Sequence, residues 1–423
     1  MLINVTVLSL CFLYHLFFNK NIESLILLYI CTLINGAFYF SNLKNIFDLK
    51  VWFVPLFTMV NSIAIFSEEF LMGGVAILPE YSPKPIITAL YIFNIAVTSL
   101  PYIHHLASSK NVIRSTTKAS RVFICSQKRV LIMMLGTYSF FIADFLRLGG
   151  FAHASNYGVN QYDYSIFNIL INLFTLCWII GFVLTAQRLK GSKLFWWFFV
   201  NLVFILLTKV IVGYRYFIIL LLIAIAFRVL QLARINKLLY IFTGFFIFFI
   251  HGIIGLSRSG YELTLSNILF QLGLEFSIVS QINYFVFNDF NEFKFGYSFF
   301  SSFLNLVPGL RVLTDNFLFY PALHFNKNMV SAGDDNGFGF SFLSELYMNF
   351  GVLGALILSI LVTYVNSFVH SKKGSIKNIL APLLIYLMIR IIRSDSIEFV
   401  KMSVYAYLII LLLKKRDIRY VWN

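Results

Sequence analysis

The chain has 423 residues, 59% of them hydrophobic and only 12% charged, and its mean hydropathy is +0.83. Such a composition lies far outside the globular range and excludes a soluble core or an open sheet, because only helices and closed barrels satisfy every backbone polar group inside lipid. The formal net charge of +15 brings nucleic-acid binding into consideration, and the placement of the bases removes it.

About 20 apolar residues cross the hydrocarbon as a helix. Windows of that length place spans near 2–18, 25–40, 51–66, 86–105, 130–145, 166–186, 194–212, 216–230, 238–256, 347–369, 378–392 and 402–413. The reading is an all-α polytopic membrane protein with about 12 transmembrane helices. Several windows hold only about 15 to 17 residues, so a boundary can shift or a short span can be re-entrant. The first window has no basic n-region and no small-residue cleavage site, and is expected to be a retained span rather than a signal peptide. Three regions follow: 1–256 with helices 1–9 and short loops, 257–346 as one large loop, and 347–423 with helices 10–12 and a basic tail.

Basic residues stay on the cytoplasmic side of a membrane. With the N-terminus inside, the inner loops carry Lys44, Lys50, Lys110, Arg114, Lys118, Arg121, Lys128, Arg129, Arg188, Lys190, Lys193, Arg228, Arg234, Lys237, Lys372, Lys373 and Lys377, and the tail adds Lys414, Lys415, Arg416 and Arg419. Of the 18 acids only Asp48 and Asp417 share that side. Both termini are therefore expected in the cytoplasm, with the large loop between helices 9 and 10 in the periplasm. The positive charge is a topology signal, and no nucleic-acid partner is implied.

Cys11, Cys31 and Cys177 fall inside spans and Cys125 in an inner loop, so no disulfide framework or metal spacing arises. His104, His105 and His251 fit packing or snorkelling better than ligation, and no His/Asp/Glu cluster has the spacing of a metal site. The inner loops hold no nucleotide-binding glycine loop. No cofactor is expected.

The large loop is too rich in Phe, Tyr, Leu and Ile to be a disordered linker. Ile268, Leu272, Phe276, Val279 and Ile282 recur at helical spacing, with Gln271, Glu275 and Gln281 among the polar positions between them. The pattern predicts an amphipathic helix lying along the membrane surface. A second apolar stretch, 297–307, stops at Pro308-Gly309, and the residues from Asn326 to Gly337 are turn chemistry.

Cations are disfavoured on the outer side, yet Arg147, Arg215, Arg258, Arg311, Arg390 and Arg393 fall at or just outside that face, with Lys209 a turn or two deeper. A guanidinium binds phosphate oxygens bidentately and stays charged when partly buried, which points to a site for a lipid-linked diphosphate. The competing reading is that each arginine snorkels to headgroups or pairs with a nearby acid. Lys209 and Asp144 would each cost about 3 kcal/mol near a helix centre. They face a polar cavity or form a mutual structural pair. For a transfer at this face the candidate bases are Glu345, His324, Asp334 and Asp335, a group of this kind contributing roughly 10² to 10⁴ in rate. Glu345 also reads as a helix-start acid, with Ser341 and Ser344 just upstream.

Twelve spans, a large late outer loop, Gly213-Tyr214-Arg215 and the loop exit Gly337-x-Gly339-x-Ser341-x-x-x-Glu345-x-Tyr347-x-x-x-Gly351 together resemble the Wzy-type O-antigen polymerases, the oligosaccharide repeat-unit polymerases. The likeness covers the chain as architecture and about 20 residues as motif. Some polymerases carry Arg-x10-Gly in both main outer loops. Here Arg147 and Gly158 have that spacing, but Leu269 stands at the matching position from Arg258 and Ala322 from Arg311. The resemblance implies a metal-independent, GT-C-like inverting glycosyltransferase acting on undecaprenyl-diphosphate-linked oligosaccharides, donor and acceptor, at the periplasmic face of the bacterial inner membrane. Membrane lipid and a chain-length regulator protein are the expected partners. An O-antigen ligase would use similar helices and arginines with a different acceptor. A flippase would need repeated halves, and no internal repeat is visible.

Overall fold

A computed structural model describes residues 2–18, 20–41, 48–65, 81–109, 120–121, 126–150, 166–186, 188–210, 262–289, 293–304, 340–370, 375–394, 396–413 and 420–421, with single positions at 249, 252–253, 256, 306–307 and 321. Its helices are α1 (Leu2–Phe18), α2 (Asn21–Ser41), α3 (Leu49–Val60), α4 (Lys84–Ser109), α5 (Gln127–Arg147), α6 (Ile166–Ala186), α7 (Ser192–Ile205), α8 (Leu265–Asp289), α9 (Tyr297–Leu304), α10 (Phe342–Phe350), α11 (Gly354–His370), α12 (Ser375–Arg390) and α13 (Ser396–Leu413). The described strands are a two-residue antiparallel pair, Ser120–Arg121 with Tyr420–Val421.

Among the described residues, five segments are long and apolar enough to cross a membrane: Asn21–Ser41, Lys84–Pro101, Gln127–Arg147, Ser192–Lys209 and Phe342–His370. Shorter apolar helices occupy Ile3–Phe18, Leu49–Val60, Leu170–Ala186, Leu380–Arg390 and Phe399–Leu413. All of these fall on predicted spans. The predicted spans 216–230 and, but for four positions, 238–256 lie outside the described residues.

The distribution of polarity suits an apolar solvent. Large side chains such as Ile3, Phe17, Phe195, Trp196, Phe199 and Ile360 point outward, while His15, Thr58, Asn94, Thr137, Asn201 and Ser359 are buried. With lipid outside there is no hydrophobic drive between helices, so buried polar bonds and close packing hold them. Asn94 donates to Thr58 Oγ1 at 3.0 Å and accepts from Thr32 Oγ1 at 3.2 Å, tying α2, α3 and α4. Asn201 of α7 accepts from Tyr138 of α5 at 2.6 Å and from Trp178 of α6 at 3.1 Å.

The bundle has two distinguishable ends. Leu49 N donates to Asn366 Oδ1, and Arg129 Nη1 to Leu412 O, which brings together the starts of α3 and α5 and the ends of α11 and α13. At the opposite end Ser341 meets Asn61, Phe340 N donates to Arg393 O, and Lys209 meets Asp144. The start of α10 thus adjoins the ends of α3 and α12, and the end of α5 adjoins the turn that follows α7; this end carries the site.

Two elements differ from expectation. The predicted span 51–66 ends as α-helix at Val60, where Asn61 turns its amide back onto Phe57 O at 2.8 Å, and resumes as a single 3-10 turn, Ile63–Ile65. The span predicted from 347 starts five residues earlier at Phe342, because Ser341 Oγ caps it by accepting from Leu343 N at 3.2 Å. It then breaks at Gly351, whose φ of 60° only glycine adopts freely, into a 3-10 turn, Gly351–Leu353, before α11. The break folds tightly: a Cβ on Gly354 would lie 2.6 Å from Leu346 O and 2.8 Å from Leu346 Cβ. Gly354→Val is expected to cost about 1 to 3 kcal/mol through overpacking, read as a lower unfolding temperature of the purified protein. An unchanged temperature would mean that the break is free to open.

A larger correction concerns α8. The amphipathic helix is present, but from Ser277 onward it is packed into the bundle rather than along a surface. Ile268, Val279 and Ile282 are buried, and so are the polar Ser277, Ser280, Gln281 and Asn283. The physical reason is that these polar residues have partners inside the bundle: Ser280 Oγ accepts from Ala64 N at 3.1 Å, and Asn283 bonds Asn61 and Ser344. The described parts of the large loop are thus built into the helix bundle.

Candidate functional site

Glu345 sits in the first turn of α10 and is fully buried. Its Oε1 accepts from Ser298 Oγ of α9 at 2.6 Å and from Ser396 Oγ of α13 at 2.7 Å, and its Oε2 accepts from Ser396 N at 2.5 Å. Ser396 opens α13, so the carboxylate lies against a helix N-terminus, where the exposed N–H groups and the dipole favour an anion. Around it, Asn349 donates to Ser298 Oγ and to Glu345 O, both at 2.7 Å, and Ser302 Oγ lies 3.0 Å from Ser396 Oγ. Asn349 follows Glu345 by one helical turn and Ser302 follows Ser298 by the same step, so each pair shares a helix face. The turn leading into α9 is pinned to the same helix, since Lys294 N donates to Met348 O and Gly296 N to Asn349 Oδ1, both at 2.9 Å.

A second buried network adjoins it through the same helix start. Ser341 Oγ donates to Asn61 Oδ1 at 2.6 Å, Asn283 Nδ2 donates to Asn61 Oδ1 at 2.9 Å and to Asn61 O at 3.0 Å, and Ser344 Oγ donates to Asn283 Oδ1 at 2.6 Å. Ser341, Ser344, Glu345 and Asn349 thereby join α3, α8, α9 and α13 to one short helix. Both networks consist of buried groups with partners, the condition under which polar residues rigidify an apolar bundle.

The third feature is cationic. Lys209, fully buried, lies in a five-residue π turn, Leu206–Val210, that continues α7. Its Nζ is 2.5 Å from Asp144 Oδ2 and sits over the Phe141 ring at 4.5 Å. Arg147, at the last turn of α5, places Nη2 3.1 Å from Asp144 Oδ1, and its guanidinium lies over Phe167 at 5.3 Å. Of the two readings for Lys209 and Asp144, the mutual pair is the one observed, with Arg147 as a third member. Arg390, at the end of α12, donates through Nη1 to Tyr386 OH at 3.2 Å and overlies that ring. Arg393 is half-buried and its carbonyl accepts from Phe340 N at 3.3 Å, just before α10.

Of the predicted site residues, Glu345, Arg147, Lys209, Arg390 and Arg393 therefore lie at one end of the bundle. Arg215, Arg258, Arg311, His324, Asp334 and Asp335 lie outside the described residues, as do Gly213, Tyr214 and Gly158. Among the described residues no group of three or more His, Cys, Asp or Glu side chains is placed to hold a metal ion. Cys11 and Cys31 bring their sulfurs to 3.8 Å where α1 meets α2.

Ser298, Ser302, Asn349, Ser396, Asn61 and Asn283 escaped the sequence reading. A signal existed: Glu345/Asn349 and Ser298/Ser302 are i,i+4 polar pairs inside otherwise apolar stretches, the spacing that puts two side chains on one face.

Comparison with protein-family models, with curated proteins and with solved structures found no match to this chain.

Proposed function

We propose that this chain is a multi-pass membrane glycosyltransferase that joins oligosaccharide repeat units carried on a polyprenyl diphosphate, an O-antigen-type polymerase working at the periplasmic face of a bacterial inner membrane. The observation that carries the reading is the presence, at the same end of an apolar helix bundle, of a buried cationic cluster (Lys209, Arg147) and of a carboxylate hub (Glu345), with Arg390 and Arg393 on the helix end that touches α10. In this reading that end faces the periplasm, about twelve helices cross the membrane, both termini are cytoplasmic, and the basic loops stay inside.

The chemistry asked of that end is a displacement at the anomeric carbon. The bond from that carbon to the donor diphosphate breaks as an acceptor hydroxyl attacks from the other side, and the hydroxyl proton passes to a base. Arginines at the face, Arg215, Arg258 and Arg311 among them, hold the diphosphate and neutralise the charge that develops on it. Of the four candidate bases, Glu345 accepts hydrogen bonds from Ser298 Oγ, Ser396 Oγ and Ser396 N. The reading therefore gives Glu345 the work of holding α9 and α13 in place, and leaves the proton to His324, Asp334 or Asp335.

Lipopolysaccharide from a deletion strain tests the reading. The expected result is core oligosaccharide capped with a single repeat unit. Bare core with accumulated lipid-linked polymer would make the chain a ligase, and loss of repeat units from the outer face would make it a flippase.

A further inference from the structure

The charge pattern places 297–307 outside the membrane with the rest of the large loop, but the contacts of α9 run down the flank of α13. Ser302 Oγ lies 3.0 Å from Ser396 Oγ at the start of α13, and just past the end of α9 Leu306 O accepts from Tyr405 OH at 2.6 Å. The side of α13 that α9 covers is the side that α13 exposes further along. Tyr407 follows Ser396 by three turns and Leu412 follows Tyr405 by two, so each pair shares a side. Tyr407 and Leu412 are exposed, as are Leu408 and Leu411, whereas among the described residues of 396–406 none is. The outward side of α9 takes over where α13 is covered: Ser298, Ser301 and Ser302 are fully buried, while Phe300, Phe303 and Val307 are more than half exposed. Those three recur at i, i+3 and i+7, a single apolar stripe. The turn leading into α9 carries Phe295, 82% exposed at a φ of 44°, a conformation that costs a bulky residue energy. In water a glycine or asparagine suits that position better; an aromatic ring suits the interfacial belt of a membrane.

We propose that α9 is a re-entrant helix lying in one leaflet on the lipid side of α13, with Phe300, Phe303 and Val307 against acyl chains and Phe295 at headgroup level. The partner of this surface is the hydrocarbon of that leaflet. A helix that ends at membrane depth must have its polar groups bonded within the protein. Here Ser301 Oγ donates to Tyr297 O at 3.0 Å and Ser302 Oγ to Ser298 O at 2.9 Å, so the serine side brings its hydroxyls in already paired. At the far end Leu306 N donates to Phe303 O at 3.1 Å and Val307 N to Leu304 O at 3.3 Å, and Tyr405 takes the Leu306 carbonyl. The proposal rests on α13 crossing the membrane, as in the reading above, and is independent of the activity assigned there.

The test uses the full-length protein in phosphatidylcholine nanodiscs, with the photoreactive p-benzoylphenylalanine in place of Phe300, of Phe303 or of Ile360. Ile360 is the control, an exposed residue of the apolar segment Phe342–His370. Irradiation is expected to add the mass of one phosphatidylcholine to the protein at all three positions, read by mass spectrometry. Adducts at 360 but at neither 300 nor 303 would overturn the proposal and leave the membrane reading standing. No adduct at any of the three would remove the membrane reading and the proposal with it. Phe303→Asp gives an independent measure. An exposed position in water tolerates the change with little effect, whereas a carboxylate in hydrocarbon is costly. The variant is therefore expected to unfold about five degrees or more below wild type in the same discs. Unfolding at the wild-type temperature would place Phe303 in water and overturn the proposal.

Discussion

Glu345→Ala is expected to lower the stability of the protein by about 3 to 5 kcal/mol, the cost of stripping a buried charge-centred network of its central member. The substitution leaves Ser298 Oγ, Ser396 Oγ and the Ser396 amide without their acceptor in a site with no water-exposed side. It also frees the start of α13 and loosens α9, which reaches α10 through Ser298 and Asn349. The measurements are the amount of protein in the membrane fraction and its unfolding temperature in detergent, and both should fall. Glu345→Gln separates this role from proton transfer. Its carbonyl oxygen can take the Ser396 amide while the two serine hydroxyls rotate to accept from the new NH2 group. Glu345→Gln is therefore expected to fold and to retain transfer within about tenfold of wild type, in keeping with a supporting role. A folded Glu345→Gln protein whose transfer drops by about 10² to 10⁴ would instead make Glu345 the base.

The same residue shows where sequence reasoning reaches and where it stops. The apolar windows stand out because about 20 uninterrupted hydrophobic residues have few other uses, and described helices occupy the windows at 2–18, 25–40, 130–145 and 166–186. The helix in 265–289 was legible from its 3.6-residue period, but its surroundings were not. Period alone reports that Ser280, Gln281 and Asn283 share a polar side. Whether that side meets water or the Asn61 amide depends on chain segments more than 200 residues away. Glu345 was picked out as an ionisable group at a span edge, whereas the three donors that surround it come from α9 and α13, whose approach no local pattern encodes. Asn61 was invisible for a related reason. An asparagine inside the predicted span 51–66 carries no local mark of its partners, and its role as the acceptor for Ser341 and Asn283 appears only when the helices pack.

Asp144→Leu is expected to be the most damaging single change at the cationic cluster, about 3 to 5 kcal/mol, because it takes from the fully buried Lys209 ammonium the carboxylate it contacts at 2.5 Å. The magnitude follows from asymmetry: forming a buried pair brings little net gain, since desolvation offsets attraction, but breaking one leaves the whole desolvation cost of the survivor in place. Lys209→Met in the same protein removes that survivor. The double variant should accordingly recover most of that loss, the remainder being the Asp144 oxygen that Arg147 also loses, with an unbranched apolar chain filling the volume of the lysine stem against Phe141. Unfolding temperatures of the two single variants and the double variant form a cycle whose coupling term should be large and favourable. Additive losses would mean that the 2.5 Å contact is not where Lys209 finds its stabilisation.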